Sequence, residues 1–311
     1  MLGAIYARMY LSEVIPERIN KNWALTGGMK IIKMLSDALR HNLIIKESLI
    51  MKRSVFAALL CLILSFTLVA VSSAHFAMVI PSNDVVGKED NKEIGILIQF
   101  THPFEGGPQM QMNRPEKFGV LAGDKVINLL DTLKEKKVDG KSTWETSFKI
   151  TRPADYAFFL IPTPYWEPAE DKFIQHVTKV IVDGLGAEEG WDKPIAKEAG
   201  LPCEIVPLTR PYSLYAGNVF TGQVQRDGKP VPDCDVEIEF WGKGKTKAPT
   251  DSHVTQVVKT NENGCFTFAM PKAGWWGFAA LMDGDKPIKF EGKDRKVEIG
   301  AVMWVHAYPM E

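Results

Sequence analysis

The residues of this chain best suited to chemistry are histidines, and the first of them follows a hydrophobic leader. Met51 and two basic residues precede an apolar segment at 55–71, which ends in small residues at 72–74, directly before His75. This order is typical of a secretory signal peptide. Cleavage directly before His75 makes it the first residue of the exported chain, and cleavage one position earlier makes it the second. Either product places an imidazole beside an α-amine.

The α-amine matters because its pKa of about 7.7–8.0 gives access to the neutral, metal-binding form near pH 7. If His75 is the first residue, its amine and Nδ1 can chelate one metal ion. If it is the second, the amine, an ionised amide and Nδ1 supply the planar nitrogen set that suits Ni(II) or Cu(II). The alternative interpretation is a processing remnant without any ligand role.

Two further histidines lie where a ligand could be held. His102 follows an apolar strand and is fixed by Pro103, with Glu105 near enough to orient its imidazole. His176 lies in the middle of another strand, after an acidic bend that carries Glu167 and Glu170. The sequence predicts His75, His102 and His176 as metal ligands and the three glutamates as groups that orient them. A solvated turn for His102 and a structural core role for His176 are the alternatives.

The other candidate ligands are assigned structural roles. His253 lies in a polar stretch and is expected at the surface, and His306 is expected to be structural in the last strand. Met110 and Met112 could bind Cu(I), but their alternation favours one face of a half-buried strand.

Several function classes are excluded by what the sequence lacks. It has no Gly-x-Ser-x-Gly, no phosphate-binding loop, no Cys-x-x-Cys and no His-Glu-x-x-His motif, so no hydrolase, kinase or zinc protease is indicated. Residues 1–74 contain nine of the 37 basic and four of the 38 acidic residues, which leaves 28 and 34 and a net charge of −6. Nucleic-acid binding is therefore not expected.

The elements that must position these side chains are predicted to be strands. Short apolar runs rich in β-branched and aromatic residues alternate with Asp-Gly and Asn-Gly turns, which predicts an all-β fold of two β-sandwich domains. The strands are expected at 94–100, 117–121, 144–150, 156–161, 173–182, 218–224, 235–241, 254–259, 265–270, 275–281 and 297–306. The helix-like segment is short, at 192–199.

The domain organisation follows from the leader and from one proline-bounded connector at 207–211. Residues 1–50 are interpreted as a mis-assigned upstream extension, 51–74 as the signal peptide, 75–210 as the metal-binding domain and 211–311 as a second domain. The turns of this second domain resemble those of transthyretin-like and carboxypeptidase-regulatory-like modules. No apolar run after residue 75 is long enough for a membrane span.

Cysteine usage is compatible with an oxidising compartment. The exported part contains Cys203, Cys234 and Cys265, an odd number that allows at most one internal disulfide. Cys234 and Cys265 are its possible partners because both lie in the second domain, but their strand faces disagree, which argues against the bond.

Taken together, the local motifs resemble a known family. They are Ala74-His-Phe with Pro81, Thr101-His-Pro-Phe-Glu105, Tyr165-Trp-Glu-Pro-Ala-Glu170 with His176, Glu204 to Tyr212, and Tyr215 to Phe220. The family is that of the exported, periplasmic components that accompany nickel and cobalt importers of the energy-coupling-factor type. The resemblance covers nearly all of 75–311 and implies a nickel-handling role outside the inner membrane.

The sequence therefore predicts a periplasmic, non-enzymatic protein that binds Ni(II), with Co(II) or Cu(II) as alternatives, and delivers it to the membrane subunits of an importer. Nickel is favoured through the resemblance, because nitrogen ligands alone prefer copper. One rival interpretation is a copper oxidase or oxygenase that uses an N-terminal histidine brace. Another is a purely structural β-sandwich.

Overall fold

The computed structural model of the protein describes residues 33–41, 43, 46 and 75–310. Residues 1–70 and 71–311 form separate compact units, and residues 33–41 of the first are helical. The predicted signal peptide at 51–74 and most of the predicted extension at 1–50 lie outside the described residues. None of the helices in the described part has the length and apolar character needed to cross a membrane.

Within its described residues, 75–310, the second unit contains twenty strands and one short helix, which confirms the all-β prediction. In chain order the elements are β1 (Phe76–Pro81), β2 (Val85–Val86), β3 (Glu93–Thr101), β4 (Lys117–Ala122), β5 (Lys125–Asn128), β6 (Lys134–Val138), β7 (Lys141–Lys149), β8 (Ala154–Ile161), β9 (Tyr165–Glu167), β10 (Lys172–Gly184), α1 (Ala196–Ala199), β11 (Cys203–Pro207), β12 (Leu214–Tyr215), β13 (Val219–Arg226), β14 (Lys229–Pro230), β15 (Asp235–Phe240), β16 (Gln256–Lys259), β17 (Cys265–Ala269), β18 (Gly274–Asp283), β19 (Ile288–Phe290) and β20 (Lys293–Tyr308). Two single 3₁₀ turns cover Leu130–Thr132 and Asp251–His253.

The strands form three stacked sheets, and the largest of them lies in the middle. Its order is β16-β15-β18-β20-β10-β8-β4-β5, and β2, β9, β12 and β19 pair at its margins. A four-stranded sheet, β1-β3-β7-β6, packs on one face, and β11, β13, β14 and β17 pack on the other. Each interface between layers is a separate hydrophobic core. We call them the first core, beneath β1 and β3, and the second core, beneath β11 and β13.

The strand patterns explain this layering. Strand β3 is buried at alternate positions, Ile94, Ile96 and Ile98, as expected for a strand with one face on a core. In contrast, β10 is buried along most of its length, and β20 is buried continuously from Ile299 to Val305, because both of their faces are covered there. The predicted turn at Asp139-Gly140 joins β6 to β7, with both residues in the left-handed region that such two-residue hairpins require.

The central sheet contains strands from both predicted domains. Strand β10, before the predicted boundary at 210/211, pairs in parallel with β20, which lies after it. The two sandwiches therefore share their middle sheet within one compact unit. The boundary at 210/211 remains a prediction, both as a limit between folding units and as a limit between functional units.

The possible disulfide is not formed. Cys203, Cys234 and Cys265 are free in the structure, so Cys234 and Cys265 are not bonded to each other. The reason is that Cys234 immediately precedes β15 of the central sheet, where its Sγ lies 3.3 Å from the carbonyl oxygen of Leu281. Cys265 begins β17 in a different sheet, with its Sγ near the carbonyl of Asn263.

Candidate metal centre

The first two predicted ligands meet through the pairing of β1 with β3. Phe76 pairs with Thr101 in this antiparallel ladder, so continuing the register by one residue places His75 opposite His102. The two imidazole centroids are 4.4 Å apart, with an interplanar angle of 48°. His102 is buried and His75 half-buried. Strand β1 was not expected from the sequence, and it is the element that creates this pair.

A carboxylate fixes the orientation of His75. Glu167, at the end of β9, is buried, and its Oε2 lies 3.1 Å from Nε2 of His75. The other oxygen of Glu167 accepts a hydrogen bond from the backbone N–H of Ala169 at 2.9 Å. With Nε2 directed at Glu167, the nitrogen left for another partner is Nδ1, which is the one closer to the backbone amine. Glu167 thus contacts the imidazole of His75, and its orienting role in a metal site stays a prediction.

One aromatic side chain contacts both His75 and the third predicted ligand, His176. The Phe100 ring is 5.5 Å from His75 and 5.9 Å from His176 between centroids. Tyr165 packs edge-on against the same phenylalanine at 5.2 Å. A small cavity of about 10 Å³ lies beside His176, lined by both aromatic rings and by Met112 among others. Its volume corresponds to roughly one water molecule.

His176 is buried with unused hydrogen-bonding capacity. It is only 3 % exposed, and neither ring nitrogen has a hydrogen-bond partner in the described part of the chain. Its Nε2 lies 3.6 Å from Oε1 of Glu298, which is longer than a hydrogen bond. The other oxygen of Glu298 is 2.6 Å from Nζ of Lys172, and this ammonium also pairs with Glu170 at 2.5 Å. Glu170 is therefore linked to Glu298, the carboxylate beside His176, through the ammonium group of Lys172.

A glycine makes room for this imidazole. Gly300 is the partner of His176 across the parallel β10–β20 pair. A Cβ at position 300 would lie 2.5 Å from Cδ2 and 3.0 Å from Nε2 of His176. Since real contacts of this kind are longer, the ring needs glycine at that position.

The electrostatics favour a set of neutral and anionic donors. Burial, followed by the nearby His102 and His176, lowers the pKa of His75 to about 3, so its imidazole is neutral at pH 7. Burial would raise the pKa of Glu298, but His176 and Lys172 lower it to about 2. At neutral pH the region therefore presents an unprotonated imidazole and an ionised carboxylate, the forms in which both bind metal ions.

The other residues considered in the sequence analysis are Glu105, His253 and His306. Glu105 is exposed in the loop after His102, and its orienting role stays a prediction. His253 is exposed, with Nδ1 2.7 Å from the hydroxyl of Thr250, as expected for a surface residue. His306 is half-buried, with Nδ1 3.6 Å from Asp84.

The predicted donor side chains lie near one another, but they are not arranged as a complete metal site. In the described part of the chain, no set of three or more His, Cys, Asp or Glu side chains is arranged to hold a metal ion. The donors fit a nitrogen-rich chelate centred on His75 and His102, which the α-amine of an exported chain would extend.

Sequence reasoning missed Glu298, Lys172 and Gly300. Two of them lie on β20 and one on β10, and the parallel pairing that joins these strands has no local signature. The one available signal was a glycine inside an otherwise apolar strand, which often marks a close approach by another group.

Comparisons with known proteins show the family of the chain. The model of a family described as "Domain of unknown function (DUF4198)" matches residues 72–284. A search of the curated proteins gives no significant match.

Solved structures similar to the chain include fibronectin(III)-like modules of CbhA from Clostridium thermocellum, with 11% identity, coverage of 75% of this chain and 97% of that one, and a TM-score of 0.20. A chimeric titin Z1Z2 has 9% identity over 76% and 98% of the two chains, with a TM-score of 0.20. Native alpha-2-macroglobulin from Escherichia coli has 6% identity over 74% and 72%, with a TM-score of 0.21.

Proposed function

The chain belongs to the DUF4198 family, and from that premise we propose that it is an exported protein that binds a divalent transition-metal ion, Ni(II) foremost, and passes it to a membrane importer. The observation that carries the proposal is the contact of His75 with His102 at the point where the predicted leader ends. Support also comes from Glu167, which engages Nε2 of His75 and leaves Nδ1 on the side of the backbone amine.

The metal ion is treated as cargo, and the site is suited to capture and release. The α-amine, His75 and His102 supply nitrogen donors of the kind that bind Ni(II) and Cu(II), with Co(II) weaker in the usual order. His176, beside its small cavity, is the third histidine and the fourth nitrogen donor, and Glu298 adds a carboxylate near it. Half-burial of His75 keeps the ion accessible to a partner at the rim of the first core.

The test is calorimetric titration of Ni(II) into a chain that begins at His75 and into one that retains several preceding residues. The extended form loses the chelate between amine and imidazole, so its affinity should fall by about tenfold or more. His102→Ala and His176→Ala should each weaken binding by about tenfold or more for the same reason. Unchanged affinity in the extended form would remove the α-amine from the site.

His253→Ala is the matched control, because that imidazole is exposed and lies in the 3₁₀ turn Asp251–His253. Its Ni(II) affinity should equal that of the unmodified chain. An equal loss in His253→Ala and His102→Ala would indicate nonspecific binding by histidines and would contradict the proposal. Titration of Cu(II) and Co(II) into the same chains ranks the three ions.

Delivery to an importer is tested separately, in cells. Deletion of the gene should reduce Ni(II) uptake when nickel is scarce, and a chain carrying His102→Ala should not restore it. If the deletion does not change Ni(II) uptake, the transport role is contradicted, and only metal binding is left of the proposal.

A further inference from the structure

A large cleft lies over the outer face of the sheet β1-β3-β7-β6. It has a volume of about 1100 Å³, and none of the predicted metal ligands is among the residues that line it. Gly95 and Leu97 of β3 form part of its floor, at the positions that alternate with the buried isoleucines of that strand. The floor is therefore the face of the sheet that does not cover the first core, and the proposed function makes no use of it.

The size of the cleft suits a segment of a macromolecule. Its lining includes residues from all four strands of this sheet, and because neighbouring strands are about 4.8 Å apart, the floor is roughly 14 Å wide. An extended chain rises about 3.3 Å per residue, so roughly four residues would cross it. The volume also exceeds the range of about 300–1,000 Å³ that is usual for small-molecule pockets.

Two tryptophans line the cleft. Trp241 and Trp275 are half-buried, and the backbone N–H of Trp241 donates a hydrogen bond to the carbonyl oxygen of Trp275 at 2.9 Å. Tryptophan is enriched among the residues that carry most of the binding energy of protein–protein interfaces. With Leu97 on the floor, the two rings supply the apolar contact area that such an interface needs. The lining therefore favours a protein partner.

The carboxylates that line the cleft are already paired. Asp131 lies 2.6 Å from the guanidinium of Arg114, and Glu145 lies 3.2 Å from the ammonium of Lys136. Within the described residues, the lining thus presents no carboxylate that lacks a cationic partner.

Two ammonium groups of the lining are left over. Lys134 and Lys243 are exposed, and neither forms an ion pair with another residue of 75–310. The Nζ of Lys243 lies 3.9 Å from the centre of the Trp241 ring, a contact that holds this charge at the cleft. The cleft therefore carries unpaired positive charge, which complements an acidic partner.

The loop at 241–244, which supplies part of the lining, also contacts the segment that follows His102. The backbone N–H of Gly244 donates a hydrogen bond to the carbonyl oxygen of Phe104 at 3.3 Å. A Cβ at Gly244 would lie 2.7 Å from the carbonyl oxygen of Glu105, closer than real Cβ contacts come. The backbones of the two loops are therefore in direct contact.

Glycines are needed on both sides of this contact. A Cβ at Gly242 would lie 2.7 Å from the carbonyl oxygen of Phe104. A Cβ at Gly106, in the facing loop, would lie 2.6 Å from the carbonyl carbon of Lys243. Since the closest atoms are backbone atoms, which cannot rotate away as a side chain does, a shift of one loop displaces the other.

We propose that the cleft binds an extended, acidic segment of the protein that receives the metal ion, and that the 241–244 loop links this docking to His102. Only the role of the partner as metal acceptor rests on the proposed function. A segment that contacts Trp241 and Lys243 shifts their loop, and this loop contacts the backbone directly after His102. Docking and metal binding are then coupled, and docking favours release of the ion.

Docking is tested on the purified, metal-free protein with a fluorescein-labelled octapeptide of alternating glutamate and leucine, followed by fluorescence anisotropy. The peptide should bind, and more weakly at high salt, whereas a matched peptide of alternating lysine and leucine should not bind. Lys134→Gln combined with Lys243→Gln should weaken binding by about fivefold, and Trp241→Ala by about tenfold. Lys141→Gln is the matched control, because that lysine is exposed but does not line the cleft.

The link to His102 is tested by calorimetric titration of Ni(II) with and without saturating glutamate–leucine peptide. The peptide should weaken Ni(II) binding by about fivefold or more. Gly244→Ala should abolish this effect of the peptide, because the new Cβ separates the two loops. Gly228→Ala should preserve it, since Gly228 has a similar positive φ, 72° against 69°, but a Cβ there meets nothing within 4 Å.

Three results would overturn the docking surface. They are the absence of binding by the glutamate–leucine peptide, equal binding of the lysine–leucine peptide, and displacement of the labelled peptide by alginate at lower concentrations than by unlabelled peptide. The last result would assign the cleft to an acidic polysaccharide. The two lysine changes, both at exposed positions, keep the test decisive if Trp241→Ala does not fold.

The docking surface and the proposed function fail separately. Peptide binding by a chain that does not bind Ni(II) would support the docking surface and contradict the proposed function. Ni(II) binding without peptide binding would do the reverse. Ni(II) affinity that the bound peptide leaves unchanged would contradict the link through the 241–244 loop.

Discussion

Strand β10 carries buried polar side chains on both faces, and the two faces treat them differently. On the second core, Lys179 pairs with Glu204 at 2.5 Å, and both side chains are about 1 % exposed. Glu204 also accepts hydrogen bonds from the backbone N–H groups of Ile195 and Ala196, at the start of α1. On the first core, three residues earlier, His176 has neither ring nitrogen bonded in the described chain. One face holds a satisfied network, and the other a histidine with unused donors.

This difference distinguishes buried polar groups that stabilise the fold from buried polar groups that are available to bind a ligand. A charge that is fully paired and hydrogen-bonded is part of the fold, because removing one partner leaves the other uncompensated. A buried group whose hydrogen-bonding capacity is unused is available to a ligand. The following variants test this contrast, from the largest expected effect to the smallest.

Lys179→Met and Glu204→Gln should show the largest effect. Each leaves the partner or its hydrogen bonds uncompensated, so the free energy of unfolding should fall by about 3–5 kcal/mol for the lysine change and by less for the glutamine. Urea unfolding measures both changes. Combining Lys179→Met with Glu204→Leu should recover part of the loss, although the N–H groups at the start of α1 stay unpaired. A loss below about 1 kcal/mol in Lys179→Met would mean that this pair is not structural.

Gly300→Ala should act on the other face, through packing. The new Cβ would lie 2.5 Å from the His176 ring, so we expect a loss of about 1–3 kcal/mol together with weaker Ni(II) binding. Gly95→Ala is the matched control, because a Cβ at that strand position meets nothing within 4 Å. Calorimetry and urea unfolding of both variants give the comparison. Equal behaviour of the two would show that the ring does not need the space.

Glu239, a buried carboxyl group on the first-core face of the central sheet, should make the stability of the protein depend on pH. Burial raises its pKa to about 8, although Thr255 and the N–H of Phe104 donate hydrogen bonds to it. The folded state therefore holds this proton more tightly than the unfolded state, and stability is lost as the pH rises from about 4.5 through 8. Glu239→Gln should remove that loss, so its advantage over the unmodified chain should grow between pH 5 and pH 9. Denaturant unfolding at several pH values measures it.

The exposed Glu89→Gln is the control for the pH series. Its difference from the unmodified chain should not change with pH. A Glu239→Gln variant that is equally destabilised at every pH would show that the carboxylate form, and not the protonated form, is the one the fold holds.

His176→Leu should show the smallest change in stability. The imidazole has no hydrogen bond to lose, and leucine has a similar volume, so the free energy of unfolding should change by no more than about 1 kcal/mol. Ni(II) affinity should nevertheless fall by about tenfold or more. Loss of stability comparable to that of Lys179→Met would place His176 among the structural residues and erase the contrast between the two faces.

Much of the fold could be predicted because strand patterns are local. The run expected at 94–100 is β3, and those at 117–121 and 235–241 correspond to β4 and β15 within one residue at each end. Alternating burial and Asp-Gly turns act over a few residues, so they can be read without knowledge of partners. Strand β1 was missed because all six of its residues are buried and show no alternation.

The sequence also determined which histidines deserved attention. His75 stands out through its place after a leader, His102 through the loop at a strand end, and His176 through its face of β10. The structure brings the first two into contact and packs the third against Phe100, which also contacts His75.

Only the tertiary structure decided the surroundings of these residues. Glu298 and Gly300 reach His176 because β20 pairs in parallel with β10, and Asp155 meets Asp183 because β8 pairs with the same strand on its other edge. The physical reason is that the pairing of distant strands is set by the total burial of a three-layer core. No short stretch of sequence encodes that quantity. Periodicity fixes which face a side chain occupies, but the neighbours on that face depend on the whole chain.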